Sequence, residues 1–233
     1  CIFADVKFLT SISPNHRNGD VQATAIQSWI DHGAAVISVN GEGEDVAAYP
    51  CVYHVTGATS KGLMKAPYVF VSAFIDYAKE HDLEHVVIIN SDIVLKDPDG
   101  KMKEYLAASE NGLVFANRHD HNGDFTNPTR YEHGFDVFII HRKFFDLIPC
   151  SMFCMGQTWW DYWIPYRFIR AGVPIQLVKE PIFLHQRHQV QYDQKEWERM
   201  TEHFIWMERY QSPRRGPQQV TNEVYQMIKR HAK

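Results

Sequence analysis

Long apolar runs are missing from this sequence. No stretch approaches the roughly 18 consecutive apolar residues that a membrane-spanning helix requires. The first residues also lack the charged-then-apolar arrangement of a secretory signal peptide. We therefore expect a protein without a transmembrane segment, and we expect it to work in the cytoplasm.

Cysteine is scarce, and the few cysteines form no pattern. They are Cys1, Cys51, Cys150 and Cys154. No second Cys or His pair lies at zinc-finger distance from the last two. This distribution argues against a disulfide scaffold and a structural zinc site, and it favours idle or buried thiols in a reducing compartment.

An excess of positive charge is also absent. The formal net charge is −4 over 233 residues, so no domain-wide positive field is available to hold the phosphates of a nucleic acid. This argues against general nucleic-acid binding, but it leaves room for a local basic site that binds a phosphorylated small molecule.

What is present is a globular composition with an alternating order of strands and helices. The sequence is 45% hydrophobic and 22% charged, as in ordinary soluble domains. A strand over residues 7–12, a helix closed by Gly33 and a strand over residues 34–40 follow one another with short connections. That order predicts a right-handed βαβ unit and a parallel sheet.

The segment HVVIINSDIVL, residues 85–95, indicates where a ligand would bind. Its Val and Ile run is typical of a central strand covered on both faces. A helix over about residues 68–81 precedes it. The run breaks at Asn90, Ser91 and Asp92, and the earlier strand ends at Asn40. In open α/β sheets the ligand crevice lies beyond the carboxyl ends of the strands, so we expect these residues to border it.

Asp92, His185 and His188 are candidate ligands for a divalent cation. Hard cations prefer oxygen ligands, and Mg²⁺ typically takes one or two carboxylates together with phosphate oxygens. One of the two histidines, three residues apart after a strand, could complete such a site. The alternatives are a turn cap for Asp92 and partly exposed loop positions for the histidines.

Asp161 is a candidate general base because it lies between Trp159, Trp160 and Trp163. A carboxylate surrounded by indole rings is partly desolvated, which raises its proton affinity. The alternative is a carboxylate in the first turn of a helix, where the helix dipole favours it. The two interpretations are compatible.

Three cationic side chains could hold a diphosphate near the crevice. They are Lys61, Lys65 and Arg118. Arginine binds phosphate through two parallel hydrogen bonds, whereas lysine acts as a point charge. Taken singly, each could equally be a solvated surface charge.

Together these features resemble the GT-A-fold glycosyltransferases over about residues 5–190. NSDIVL stands where that family carries its Asp-x-Asp metal motif. The later segments GFDVFIIHRKFFDLIP, GQTWWDYWIPYRFIRAGVPI and FLHQ are similar to the acceptor-side half of small microbial and phage nucleotide-sugar transferases.

The resemblance implies an α/β, Rossmann-like, mixed and mostly parallel central sheet flanked by helices, with a C-terminal helical extension. We expect a single catalytic domain over residues 1–210, followed by the extension over residues 211–233. Residues 1–100 would form its nucleotide-binding half and residues 101–210 its acceptor-side half.

The implied activity is transfer of a sugar from a nucleoside-diphosphate donor, a UDP-sugar, to a hydroxyl of a saccharide or other acceptor. By resemblance, Asp92 and His185 would hold Mn²⁺ or Mg²⁺, and Asp161 would be the catalytic base. Asn90 replaces the first Asp of the motif and brings no charge. The remaining donor-binding residues implied are Thr10, Ser11, Asn40, Lys61, Lys65, Ser91, Arg118, Gly134 and Asp136.

Two other functions remain open at this stage. A nucleotidyltransferase acting on sugar phosphates would share the sheet and the Mg²⁺ requirement, but SPNHRNGD differs from the Gly-rich, basic loop usual after its first strand. A non-catalytic nucleotide-sugar-binding module of the same fold is the second possibility, because Asn90 removes a motif carboxylate.

Overall fold

The structure is a computed structural model that describes residues 6–14, 19–123, 125–187, 193–211 and 216–233. His188, one of the candidate cation ligands, and Cys1 lie outside the described residues. So do residues 15–18 of the first loop and the Ser-Pro-Arg-Arg segment before the last helix.

The strands of the described chain are β1 (Lys7–Thr10), β2 (Ala35–Gly41), β3 (Val52–Thr56), β4 (His85–Ile89), β5 (Ile93–Leu95), β6 (Leu113–Ala116), β7 (His119–His121), β8 (Thr129–Arg130), β9 (Val137–His141), β10 (Ile175–Leu177) and β11 (Phe183–Gln186). The helices are α1 (Gly19–Asp31), α2 (Val71–Glu80), α3 (Met102–Ser109), α4 (Trp160–Arg170), α5 (Gln194–Met207) and α6 (Pro217–His231). A 3-10 helix spans Arg142–Leu147.

The main sheet, counted over the described residues, has seven strands in the order β10-β6-β9-β4-β1-β2-β3. Neighbouring strands are parallel except around β9, which is antiparallel to both β4 and β6. The predicted α/β class with a mixed, mostly parallel sheet is confirmed. As its apolar run predicts, β4 lies in the middle.

Alternate side chains of the strands pack into two cores, one on each face of the sheet. Leu9 and Ile88 pack with α2, α4, α5 and α6 on one face. Phe8 and Val87 pack with α1 and α3 on the other. Because successive strand residues point to opposite faces, a strand covered on both sides must be apolar throughout, and β4 is.

A smaller sheet continues from the carboxyl ends of β4 and β6. In the described residues its order is β5-β11-β7-β8, with β11 antiparallel to β5 and parallel to β7. β5 follows β4 after a short turn at Asn90–Asp92, and β7 follows β6 in the same way. The small sheet therefore forms one wall beside the strand ends.

The helix expected over about residues 68–81 begins later, at Val71. The residues before it are extended, because Val69 forms a bridge with Thr59 and Phe70 forms one with Cys154. Residues 64–69 therefore lie before the helix and run along the carboxyl ends of the strands.

The C-terminal helix α6 shares the larger core of the domain it follows. Val220, Val224 and Ile228 are fully buried along one side of it. None of the described helices is both long enough and apolar enough to cross a bilayer. Cys51, Cys150 and Cys154 are free thiols.

Candidate active site

A pocket of about 1040 Å³ opens at the carboxyl ends of β1 and β4. The predicted site residues that line it are Ser11, Lys65, Asn90, Ser91, Asp92, Arg118, Gly134, Asp136, Asp161 and His185. The structure thus brings together both expected cation ligands, the expected base and most of the expected donor-binding residues.

Thr10, Asn40 and Lys61 do not contribute to the pocket lining. Thr10 is fully buried. The Asn40 amide donates to the backbone oxygen of Ile12 at 2.9 Å and to Glu44 at 3.0 Å, so it holds the loops that follow β1 and β2. Lys61 is exposed on the loop before α2.

The pairing of the small sheet places Asp92 beside His185. His185 on β11 lies opposite Ile93 on β5, the residue next to Asp92. The Asp92 Oδ2 atom is 3.4 Å from His185 Nε2. His185 is 2% exposed, so its ring is surrounded by protein on its other sides.

His185 uses its second ring nitrogen to contact Asp120. His185 Nδ1 lies 2.9 Å from Asp120 Oδ1. An ionised carboxylate can only accept a hydrogen bond, so this contact assigns the proton to Nδ1. Nε2 is then the ring nitrogen that faces Asp92, and it can bind a cation only when it carries no proton.

This pair of facing acceptors fits a divalent cation. Neighbouring ligand atoms of an octahedral Mg²⁺ lie about 3.0 Å apart, and the observed 3.4 Å between Asp92 and His185 is close to that separation. No group of three or more His, Cys, Asp or Glu in the described ranges forms a candidate metal site. The pair therefore suits a cation that also takes oxygens from a phosphorylated ligand and water.

A second carboxylate, Asp136, lies next to this pair and is almost fully buried. Asn90 Nδ2 donates to its Oδ1 at 2.6 Å, and Arg118 Nη1 lies 3.5 Å from its Oδ2. Burial raises the pKa of Asp136 above its usual range, and the charge of Asp92 adds to the rise although Arg118 opposes it. Asn90 therefore has a structural reason to be an amide, because an aspartate there would face Asp136 as a like charge.

Asp161 occupies the first turn of α4, as the sequence predicts. Its Oδ2 accepts a hydrogen bond from the backbone N–H of Phe135 at 3.3 Å. Although the residue keeps a partly accessible surface in the pocket, burial raises the pKa of its carboxyl to about 7, and Asp136 contributes to the rise. A carboxyl that titrates near neutrality can take up a proton during a reaction.

Backbone strain marks the residue just before α4. Trp159 has φ = 79°, a left-handed conformation that is costly for a bulky side chain. It is held there by α5, because its Nε1 donates to Thr201 at 2.7 Å and its ring stacks on Phe204 at 4.4 Å. This arrangement fixes the start of α4 and hence the position of Asp161.

Three residues of this region were not found from the sequence. Asp120 contacts His185, and Tyr131 lies under the Arg118 guanidinium at 4.3 Å. Gln22, fully buried, accepts from Ser91 Oγ at 2.7 Å and so braces the turn before β5. Their contacts join segments that are distant in the sequence, so no local pattern indicates them.

The comparisons with known proteins add little beyond the fold. Neither a protein-family model nor a curated protein matches the chain. A solved structure of a provisionally named nucleotide-diphospho-sugar transferase from Desulfovibrio desulfuricans G20 is similar, with 11% identity, a TM-score of 0.43 and coverage of 99% of each chain. A provisionally named glucose-1-phosphate thymidylyltransferase from Bacillus anthracis, solved with sucrose, has 8% identity and a TM-score of 0.46, covering 75% of this chain and 86% of its own. Likenesses this remote carry no functional argument.

Proposed function

We propose that the protein is a metal-dependent glycosyltransferase of the GT-A type, which moves a sugar from a nucleoside-diphosphate donor, a UDP-sugar, to an acceptor hydroxyl. One observation carries the proposal. The Asp92–His185 pair shares its pocket with Asp161, a carboxyl whose pKa is raised to about 7 by burial. Glycosyl transfer needs both a place for a charged leaving group and a base for the acceptor.

At the donor end, Asp92 and His185 would hold Mn²⁺ or Mg²⁺. A bound cation would stabilise the negative charge that grows on the departing diphosphate. Lys65 lies at the rim of the pocket, where it forms an ion pair with Asp193. Its side chain is exposed, so it could turn from Asp193 toward a bound phosphate. Asp136 and Asn90 would line the part of the pocket that receives the donor.

At the acceptor end, Asp161 would remove the proton of the attacking hydroxyl. The new bond forms between the acceptor oxygen and the anomeric carbon as the bond from that carbon to the diphosphate oxygen breaks. The proton passes to the Asp161 carboxylate. Because the attack is direct, the configuration at the anomeric carbon inverts.

The dimensions and charges of the pocket support this assignment. A volume of about 1040 Å³ is at the upper end of the roughly 300–1,000 Å³ typical of small-molecule sites, which suits a nucleotide sugar together with part of an acceptor. Its carboxylates are separated in role by their surroundings, since Asp92 faces an imidazole whereas Asp161 accepts from a backbone N–H.

A thermal-shift panel of nucleoside diphosphates and their sugars, with and without Mn²⁺, tests donor binding. A ligand that binds only the native state raises the melting temperature, and we expect the largest rise with UDP-sugars in the presence of Mn²⁺. We expect Asp92→Asn to lose the Mn²⁺-dependent part of that rise.

Donor turnover is then measured as release of UDP, with and without candidate acceptors. Slow hydrolysis or transfer by the wild type, absent in Asp161→Asn, supports the proposal. Pyrophosphate release from a nucleoside triphosphate and a sugar phosphate would instead show that the protein is a nucleotidyltransferase and would overturn the proposal. Donor binding without any turnover would replace it by a non-catalytic module.

A further inference from the structure

We propose that Asp120 is a positioning residue that orients His185 toward the cation held at Asp92. The inference rests on the proposed function for its biological meaning, but it concerns cation binding and can be tested on the metal alone. Sequence reasoning found both expected ligands but not the residue that fixes one of them.

The strand register places His185 directly beside Asp120 and next to the turn that carries Asp92. β11 is the middle strand here, and it pairs His185 with Asp120 of β7 on one side. On the other side it pairs His185 with Ile93 of β5, adjacent to Asp92. Strand pairing therefore holds His185 and Asp120 side by side, and Asp92 reaches His185 from the turn that leads into β5.

The hydrogen bond to Asp120 decides which nitrogen of His185 can bind a cation. With Nδ1 as donor to Asp120 at 2.9 Å, the Nε2 lone pair is directed at Asp92, 3.4 Å away. A metal-bound histidine commonly donates its other N–H to a carboxylate, which fixes the tautomer and makes the ligating nitrogen more basic. The contact between His185 and Asp120 has this form.

Asp120 is itself held in place. Arg118 Nε donates to the same Oδ1 atom at 3.0 Å, and the Arg118 guanidinium also packs over Tyr131 at 4.3 Å. Asp120 is 9% exposed and Arg118 is mostly buried. Because the Arg118 guanidinium holds the Asp120 carboxylate, this carboxylate cannot rotate freely away from the His185 imidazole. The orientation of the imidazole is therefore fixed by the strands that carry these residues.

The decisive experiment measures Mn²⁺ affinity by electron paramagnetic resonance on the whole chain, without nucleotide. We expect Asp120→Asn to weaken Mn²⁺ binding about 10- to 100-fold, the range typical when the partner of a ligating histidine is removed. Asp120→Glu, which keeps the charge, should recover part of the loss. ¹⁵N NMR of the histidines should show that His185 loses its fixed tautomer in Asp120→Ala, which removes the acceptor of the Nδ1 proton.

Asp97→Asn is the matched control. Asp97 is also a buried carboxylate, 7% exposed, but it accepts from the backbone N–H groups of Lys101 and Met102 at the start of α3 and lies outside the pocket lining. We expect this variant to lower the melting temperature while Mn²⁺ affinity stays at the wild-type value.

The outcomes separate this inference from the proposed function. Wild-type Mn²⁺ affinity in Asp120→Asn, an equal loss in Asp97→Asn, or no measurable Mn²⁺ binding by the wild type each overturns the positioning role. A selective loss in Asp120→Asn supports it even if the wild type binds and turns over no nucleotide sugar, a result that would remove the glycosyltransferase assignment instead.

Discussion

Replacing Asp161 by asparagine should raise the stability of the protein while strongly reducing its turnover. In the wild type the folded state holds the carboxyl proton more tightly than the unfolded chain does, because the pKa rises from 3.8 to about 7 on folding. Between about pH 4 and about pH 7 the unfolded chain releases this proton while the folded protein keeps it. The free energy of unfolding therefore falls as the pH rises through this range. Asparagine carries no charge, so it avoids this loss.

The size of the effect follows from the pKa change. A rise from 3.8 to about 7 corresponds to about 4 kcal/mol at pH 8, since each pKa unit represents about 1.4 kcal/mol. Asp161 keeps some exposure to the pocket, and water there reduces the effect. We therefore expect a net stabilisation of about 2 kcal/mol at pH 8, or a melting temperature higher by about 4–8 °C for a domain of this size.

The assay compares wild type and Asp161→Asn by thermal unfolding across pH, together with UDP release. The stability difference should be largest at pH 8 and vanish near pH 3.5, where the carboxyl is protonated in both states. The asparagine oxygen can still accept from Phe135, so donor binding should persist. kcat should fall about 10²- to 10⁴-fold, the usual contribution of a general base.

Asp76→Asn, at an exposed position of α2, is the control and should change neither quantity. Wild-type kcat should rise with pH and level off above about 7, because the base must be ionised to act. A variant no more stable than wild type at pH 8 would show that the carboxyl is not held protonated by its surroundings. An unchanged kcat would remove Asp161 from the reaction.

Three further changes test the packing around the site and the helix ends. Asn90→Asp should lower the melting temperature at pH 8 by several degrees, because it places a like charge 2.6 Å from Asp136; an unchanged or higher value would contradict the amide's role. Arg209→Gly should add up to about 1 kcal/mol in chemical denaturation, because φ = 48° at the end of α5 suits glycine; a loss of stability would count against strain there. Glu208→Ala should lower the free energy of unfolding by about 3 kcal/mol, because it leaves the buried Trp163 indole N–H, now 2.8 Å from Glu208, without an acceptor and removes the ion-pair partner of Arg167. A loss below about 1 kcal/mol would contradict this explanation.

The first half of the fold was readable because its signals are local. The βαβ order and the apolar run of β4 predict parallel strands and a central position, and both are observed. The rule that ligands bind beyond strand carboxyl ends then places Asp92 at the pocket. Each of these inferences uses residues close together in the chain.

The strand-end rule does not say which way a side chain points. Thr10 is the last residue of β1 and Asn40 is the last but one of β2, yet Thr10 is buried and Asn40 forms hydrogen bonds with Ile12 and Glu44. Their neighbour Ser11 does reach the pocket. Alternate strand residues face opposite directions. An error of one residue in a predicted strand end therefore changes whether a side chain is expected to bind a ligand or to support a loop.

Asp120 could not be assigned from the sequence for a different reason. Its contact with His185 depends on the pairing of β7 with β11, two short strands that are 65 residues apart at this contact. Short strands with His and Asp side chains carry no apolar alternation to reveal their register. The motif residues were therefore found, whereas the group that supports one of them was not.

The antiparallel strand β9 limits how the main sheet can deform. It is hydrogen-bonded to β4 on one edge and to β6 on the other, so it joins the strand leading to Asp92 to the strand leading to Arg118. Bending of the sheet between β4 and β6 would have to break one of these two sets of hydrogen bonds. Under the proposed function, a donor should therefore enter past segments at the edge of the pocket, such as residues 64–69, while the sheet beneath it keeps its shape.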